Sequence, residues 1–121
     1  MNKERINLYV DDLRDCPKDF IIARTFNDAI SILENYNINI LSLDHDLGAD
    51  SNNNILPSGY DLAKYICEHG ILINKVYIHT DNPVGRDNIY SILVSAQRRG
   101  FLSKDMKVYK YPLIPNKYSR Y

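Results

Sequence analysis

Ile38-Asn-Ile-Leu-Ser-Leu-Asp-His-Asp46 is the stretch on which the reading of this chain turns. Ile38 to Leu43 has the length and branched apolar content of a buried strand, and it stops abruptly on Asp44, His45 and Asp46. Working back from it, Ala29, Ile30, Leu33 and Tyr36 recur at helical spacing behind Asn27, a residue able to cap them. Further back, Phe20 to Ala23 and Ile6 to Val10 read as two more strands, the latter ending on Asp11-Asp12. Working forward, a polar loop from Gly48 to Pro57 leads to Ser58, a candidate cap for a helix with Leu62, Ala63, Ile66 and Cys67 on one face and Gly70 as its stop. Lys75 to Ile78 is a fourth strand. His79-Thr80-Asp81-Asn82-Pro83 follows it and opens a helix carrying Ile89, Ile92, Leu93 and Ala96, which Gly100 ends. Val108 and Tyr109 belong to a fifth strand, and the tail from Tyr111 to Tyr121 has no helical period. Strands alternating with helices of this length imply an α/β domain with a parallel sheet and crossover helices.

The 121 residues suit one domain, 1–121, with no linker or internal repeat. Fifteen Lys and Arg balance fifteen Asp and Glu, so no overall field draws the chain to duplex DNA or to an anionic membrane. The N-terminus lacks the apolar run of a signal peptide, no stretch has the length of a membrane span, and Cys16 and Cys67 have no disulfide or zinc spacing. A cytoplasmic protein with two free thiols is expected. Abundant Asn, Ile, Lys and Tyr without Trp is the composition of an AT-rich genome, bacterial or phage, which in the second case makes the location the host cytoplasm.

Ligands of such sheets bind outside the carboxyl ends of the strands. Here those ends carry Asp11-Asp12, Asp44-His45-Asp46 and His79 to Asn82, three separate segments converging on one edge. Carboxylates brought together there repel one another unless a cation lies among them. Asp11, Asp12, Asp44 and Asp46 are therefore candidate metal ligands, with Mg²⁺ the natural occupant for hard oxygen donors and Mn²⁺ or Zn²⁺ tolerated where imidazole joins them. His45 and His79 can serve as acid and base around a phosphodiester, as in the opening of a cyclic phosphate. Asn82-Pro83-Val84-Gly85-Arg86 has the parts of a phosphate cradle: amides at a helix start, a glycine for close approach, and a guanidinium fork. Of the ten tyrosines, Tyr9, Tyr36, Tyr65 and Tyr77 fall at or near core-facing positions, and only Tyr118 and Tyr121 of the tail look free to stack on a base.

Asp11-Asp12, an Asp at the end of the third strand, Thr80 and a late Lys110 resemble the response-regulator receiver domain. Its closer counterpart is the cyclic-phosphate processing receiver family. The pattern is similar in Asp11, Asp12, Arg14 and Pro17; in Ser42 to Gly48; in Ser58 to Asp61; and in His79 to Arg86 with Asn88 following. The resemblance implies a truncated, flavodoxin-like three-layer sandwich: a five-stranded, mainly parallel sheet in the order 2-1-3-4-5, without the first crossover helix or the last helix. It also implies a metal site turned toward a cyclic phosphate, with Arg14, Thr80, Asn82, Gly85, Arg86 and Lys110 on the phosphate side, His79, His45 and Asp44 in catalysis, and work in RNA repair or nucleotide conflict. A metal-dependent phosphodiesterase acting on the cyclic phosphate of a nucleotide or RNA end is the leading expectation. The alternatives are a cyclic-nucleotide sponge of the kind a phage uses against host defence, and a divergent phosphoryl-accepting switch. Parallel crossovers normally need a dozen residues or more, so the short link after the first strand predicts irregular or antiparallel pairing of the second.

Overall fold

The computed structural model describes residues 4–47 and 57–113. The elements run β1 (Arg5–Val10), β2 (Ile21–Ala23), α1 (Phe26–Asn35), β3 (Asn37–Leu43), α2 (Gly59–His69), β4 (Ile73–Ile78), α3 (Pro83–Arg98) and β5 (Lys107–Tyr109). The strands form one sheet in the order β2-β1-β3-β4-β5, as expected. All four pairings are parallel, including β1 with β2. The anticipated irregular or antiparallel β2 is thus corrected, for a physical reason. β2 has only three residues, so the chain must return roughly 10 Å to start it, and residues 11–20 reach that far without a helix.

Thr25, not Asn27, caps α1: its hydroxyl accepts the Asp28 amide at 3.1 Å, and Asn27 lies inside the first turn. Ser58 caps α2 as expected, in a reciprocal box with Asp61, and Gly70 closes it in the left-handed conformation. Most of the polar loop, residues 48–56, and Tyr118 and Tyr121 lie outside the described residues.

Register fixes two sheet faces. Leu8, Leu41, Val76 and Val108 lie side by side, as do Val10, Leu43 and Ile78. These side chains pack with Ala29 and Leu33 of α1, Ala63 and Ile66 of α2, and Ile89 and Leu93 of α3 in one apolar cluster. The three helices therefore cover one face, as right-handed crossovers that all advance in the same direction along the sheet require. Among the described residues no helix lies on the other face, so the expected three-layer arrangement is reduced to two layers there. That other face carries Tyr9, Ser42, Tyr77 and Tyr109 in one row across β1, β3, β4 and β5. No helix of the described residues is long and apolar enough to cross a membrane.

Candidate metal and phosphate site

Val10, Leu43 and Ile78 are register partners and the last residues of their strands, so Asp11, Asp44 and His79 step off the sheet side by side. The ladder continues one residue further: the Asp44 amide donates to the Val10 carbonyl and the His79 amide to the Leu43 carbonyl, both at 3.0 Å. Strand alternation then turns all three side chains to the helix-free face. One potential ligand atom from each lies within 4.8 Å of the others.

His79 is nearly buried, at 4% exposure. Its ring lies flat against Tyr9, centroids 4.3 Å apart and planes 4° from parallel. The small side chain of Ser42, between Tyr9 and Tyr77 in the row, leaves room for that ring. Nε2 meets Asp11 Oδ2 at 3.0 Å and Nδ1 meets Ser42 Oγ at 2.7 Å. Burial pushes the Asp11 carboxyl up, but hydrogen bonds from His79 and from the Arg14 and Leu13 amides outweigh it and bring it to about 2. An ionised Asp11 only accepts, so the proton between the two belongs to His79 Nε2. Ser42, His79 and Asp11 have the order of a nucleophile–base–acid relay, yet Ser42 is only 2% exposed. The chain of bonds supports the ring; it does not present an attacking hydroxyl.

Asp44 behaves oppositely. Burial, then the charge of Asp11, drives its carboxyl above the ordinary range against the pull of His79, Thr80 and the His45 amide. Two desolvated carboxylates and an imidazole at this spacing are a donor set that a divalent cation completes.

Arg14 spans the mouth of the cluster. Its Nη1 donates to the His79 carbonyl and its Nη2 to Asp81 Oδ2, both at 2.9 Å, with Asp11 Oδ2 3.7 Å from Nη1. Burial lowers the guanidinium's affinity for its proton, but Asp11, Asp81 and Asp44 together raise it. Arg24 locks the turn beneath by donating to the Arg14 carbonyl at 2.8 Å.

His45 lies outside that cluster of three. Its Nδ1 is held by Asp46 Oδ1 at 2.9 Å, and its half-buried ring sits where a Gly85 Cβ would be, 2.4 Å from the ring. The glycine's role is to admit this imidazole. The Gly85 amide donates to Asn82 Oδ1 and the Arg86 amide to the Asn82 carbonyl, both at 2.9 Å, while Pro83 has no amide proton. The Gly85 and Arg86 amides of the expected cradle are therefore engaged within α3. Among the described residues, the ion pair of Arg86 is with Asp87, at 3.9 Å. Lys110 pairs with the same Asp87 at 3.2 Å and lies over the Tyr90 ring, so its ion pair is with α3 and not with Asp44. Thr80 is buried, accepts the Asn82 amide at 3.1 Å and supports the Asp44 carboxylate. Asp12 and Asp46 do not join the cluster of three: Asp12 follows Asp11 by one residue, so alternation turns it the other way, and Asp46 is engaged with His45.

Ser42, Tyr9, Arg24 and Asp81 also belong to this site, although the sequence put Ser42 and Asp81 there only within longer stretches, read Tyr9 as core-facing and left Arg24 without a role. Period-two alternation carried the missing signal for two of them, because Tyr9 precedes Asp11, and Ser42 precedes Asp44, by two residues.

A model of the cyclic-phosphate processing receiver domain matches residues 6–95, a span that holds every member of the cluster. No curated protein and no solved structure matches the chain.

Proposed function

The chain belongs to the cyclic-phosphate processing receiver domain family, and from that premise we propose a metal-dependent phosphoesterase acting on the cyclic phosphate of a nucleotide or an RNA end. The observation that carries the proposal is the convergence of Asp11, Asp44 and His79 within 4.8 Å at the strand ends. These three residues would hold the ion. With imidazole in the set, Mn²⁺ fits at least as well as Mg²⁺. A divalent ion there would supply Lewis-acid charge to a phosphoryl oxygen and a more acidic bound water.

The remaining work falls to the chain's own groups. Ser42 and Tyr9 fix the His79 ring, as partners behind a metal-bound imidazole do. With Nδ1 kept by Ser42, Nε2 is the nitrogen that would turn to the ion, giving up the proton it holds against Asp11 in the metal-free chain, so His79 is read as a ligand and not as the acid or base. Proton transfer then falls to His45, oriented through Nδ1 by Asp46 so that Nε2 can take or return a proton at the ester oxygen. Arg14 and Arg86 are the side chains available to a phosphate, Arg14 by exchanging its Asp81 partner for substrate oxygens.

Incubation with 2′,3′-cyclic and 3′,5′-cyclic nucleotides plus Mn²⁺ or Mg²⁺ tests the proposal. A linear monophosphate as product supports it. Ligand recovered intact after denaturation identifies a binding module instead, and acyl phosphate on Asp44 from a small phosphodonor identifies a switch.

A further inference from the structure

Tyr77 and Tyr109, neighbours on β4 and β5, stack with centroids 4.7 Å apart and planes at 22° on the helix-free face. Tyr111 closes on both, 5.4 Å from Tyr109 and 6.2 Å from Tyr77. It is 57% exposed although it lies beyond the strand. The three rings form a shelf, and the shelf is continuous with the site: Tyr77 shares its row with Ser42 and Tyr9, the two residues that hold His79, and His79 follows Tyr77 by two residues, about 7 Å along β4. No strand residue is acidic, whereas Lys75 and Lys107 are exposed register partners on the same face, one step below the tyrosines. Aromatic rings that offer faces and edges beside paired cations match the bases and backbone of a single nucleic-acid strand. The shelf also extends past residue 95, where the family match ends.

We infer that the open sheet face is a binding platform for single-stranded RNA, on which Tyr109 and Tyr111 stack the bases next to the 3′-terminal cyclic phosphate and Lys75 and Lys107 meet the backbone. The inference rests on the proposed function for its choice of RNA, because a 2′,3′-cyclic phosphate requires a ribose 2′-hydroxyl. The reading of the tyrosines as core residues is corrected for Tyr77: it stands on the face that no helix of the described residues covers.

The test compares a four-nucleotide RNA ending in a 2′,3′-cyclic phosphate, the same RNA ending in a 3′-hydroxyl, and a cyclic mononucleotide, by fluorescence anisotropy or competition with Mn²⁺ absent and present. Both RNAs are expected to bind more tightly than the mononucleotide. Tyr111→Ala, at an exposed position outside any strand, should weaken RNA about 10-fold and leave mononucleotide turnover unchanged. Tyr109→Phe should retain binding, and Tyr109→Ala should lose it. Lys75→Gln and Lys107→Gln should each lower the salt dependence of RNA binding by about 0.7 unit of slope, the single-strand value for one phosphate contact. RNA bound no better than a mononucleotide, or equally by wild type and Tyr111→Ala, overturns the inference even if cyclic mononucleotides are cleaved. So does burial of the tyrosines that grows with protein concentration alone, which assigns the face to a second copy. Tyrosine-dependent RNA binding without any cleavage supports the platform while removing the phosphoesterase.

Discussion

On the face of the sheet that meets the helices, Leu8, Leu41 and Val76 are wholly buried; one residue further along the same strands, on the opposite face, Tyr9, Ser42 and Tyr77 lead to the cluster. The first row carries only methyl and methylene groups, worth about 1.5–3 kcal/mol for each buried side chain. The second carries hydroxyls and rings that hold His79 in place. Alternation within a strand lets one short segment serve stability and chemistry at once, and it makes the two separable by single substitutions at adjacent positions.

The largest separation is expected in catalysis. His45→Ala should lower kcat by about 10² to 10⁴ with KM little changed and the fold intact, measured on whichever cyclic phosphate the wild type cleaves. Unchanged turnover would remove His45 from proton transfer. Next comes the covered face, where Leu41→Ala should destabilise by about 2–5 kcal/mol in urea unfolding because the cavity lies between the sheet and its helices. A value near zero would mean that the sheet is not packed as described.

Acid unfolding sharpens the comparison from the open face. Asp11 sits at about 2 in the folded chain against an ordinary 3.8. A carboxyl held low contributes stability that is complete above its ordinary value and is lost as pH falls through the folded one. In metal-free protein Asp11 should therefore contribute about 2 kcal/mol above pH 4 and almost none near pH 2, and Asp11→Asn should flatten that limb. Asp44 has the opposite sign. Its carboxyl is held high, so its favourable contribution belongs to the protonated form and is lost as pH rises through the folded value. The smallest effect is at Ser42. Removing its hydroxyl in Ser42→Ala should cost about 1 kcal/mol of stability, and ion affinity should fall about 10-fold through loss of the partner of His79 Nδ1. Leu41→Ala should leave ion affinity per folded molecule unchanged, which completes the contrast between neighbours.

The strands and the edge that carries the site were legible because apolar runs and the polar residues ending them are local features, while the sheet order came with the family resemblance. Ser58 was legible as a cap too, although its reciprocal bond with Asp61 came only from the structure. Less was legible where a contact is set by register. Nothing in Asp11-Asp12 or Asp44-His45-Asp46 taken alone says which acid turns inward; that follows from Val10, Leu43 and Ile78 ending level. Asn82-Pro83-Val84-Gly85-Arg86 was only partly legible for a similar reason. Two of its amides, those of Gly85 and Arg86, are taken by Asn82, and the missing Gly85 Cβ is space for His45. The parallel β2 depended on a distance, since a three-residue strand shortens the return path.

Calorimetric titration of Mn²⁺ into chelator-treated wild type and Asp44→Asn, with thermal unfolding of both, tests the central claim most directly. Without metal, Asp44→Asn should melt higher than wild type near neutral pH, because it removes a charge that burial and Asp11 oppose. With Mn²⁺, wild type should bind one ion per chain and gain close to 3 kcal/mol at a hundredfold excess over Kd, while Asp44→Asn should bind at least 10-fold more weakly and lose most of that gain. Equal Mn²⁺ affinity in the two proteins, or no binding to either, would contradict a metal centre at Asp11, Asp44 and His79.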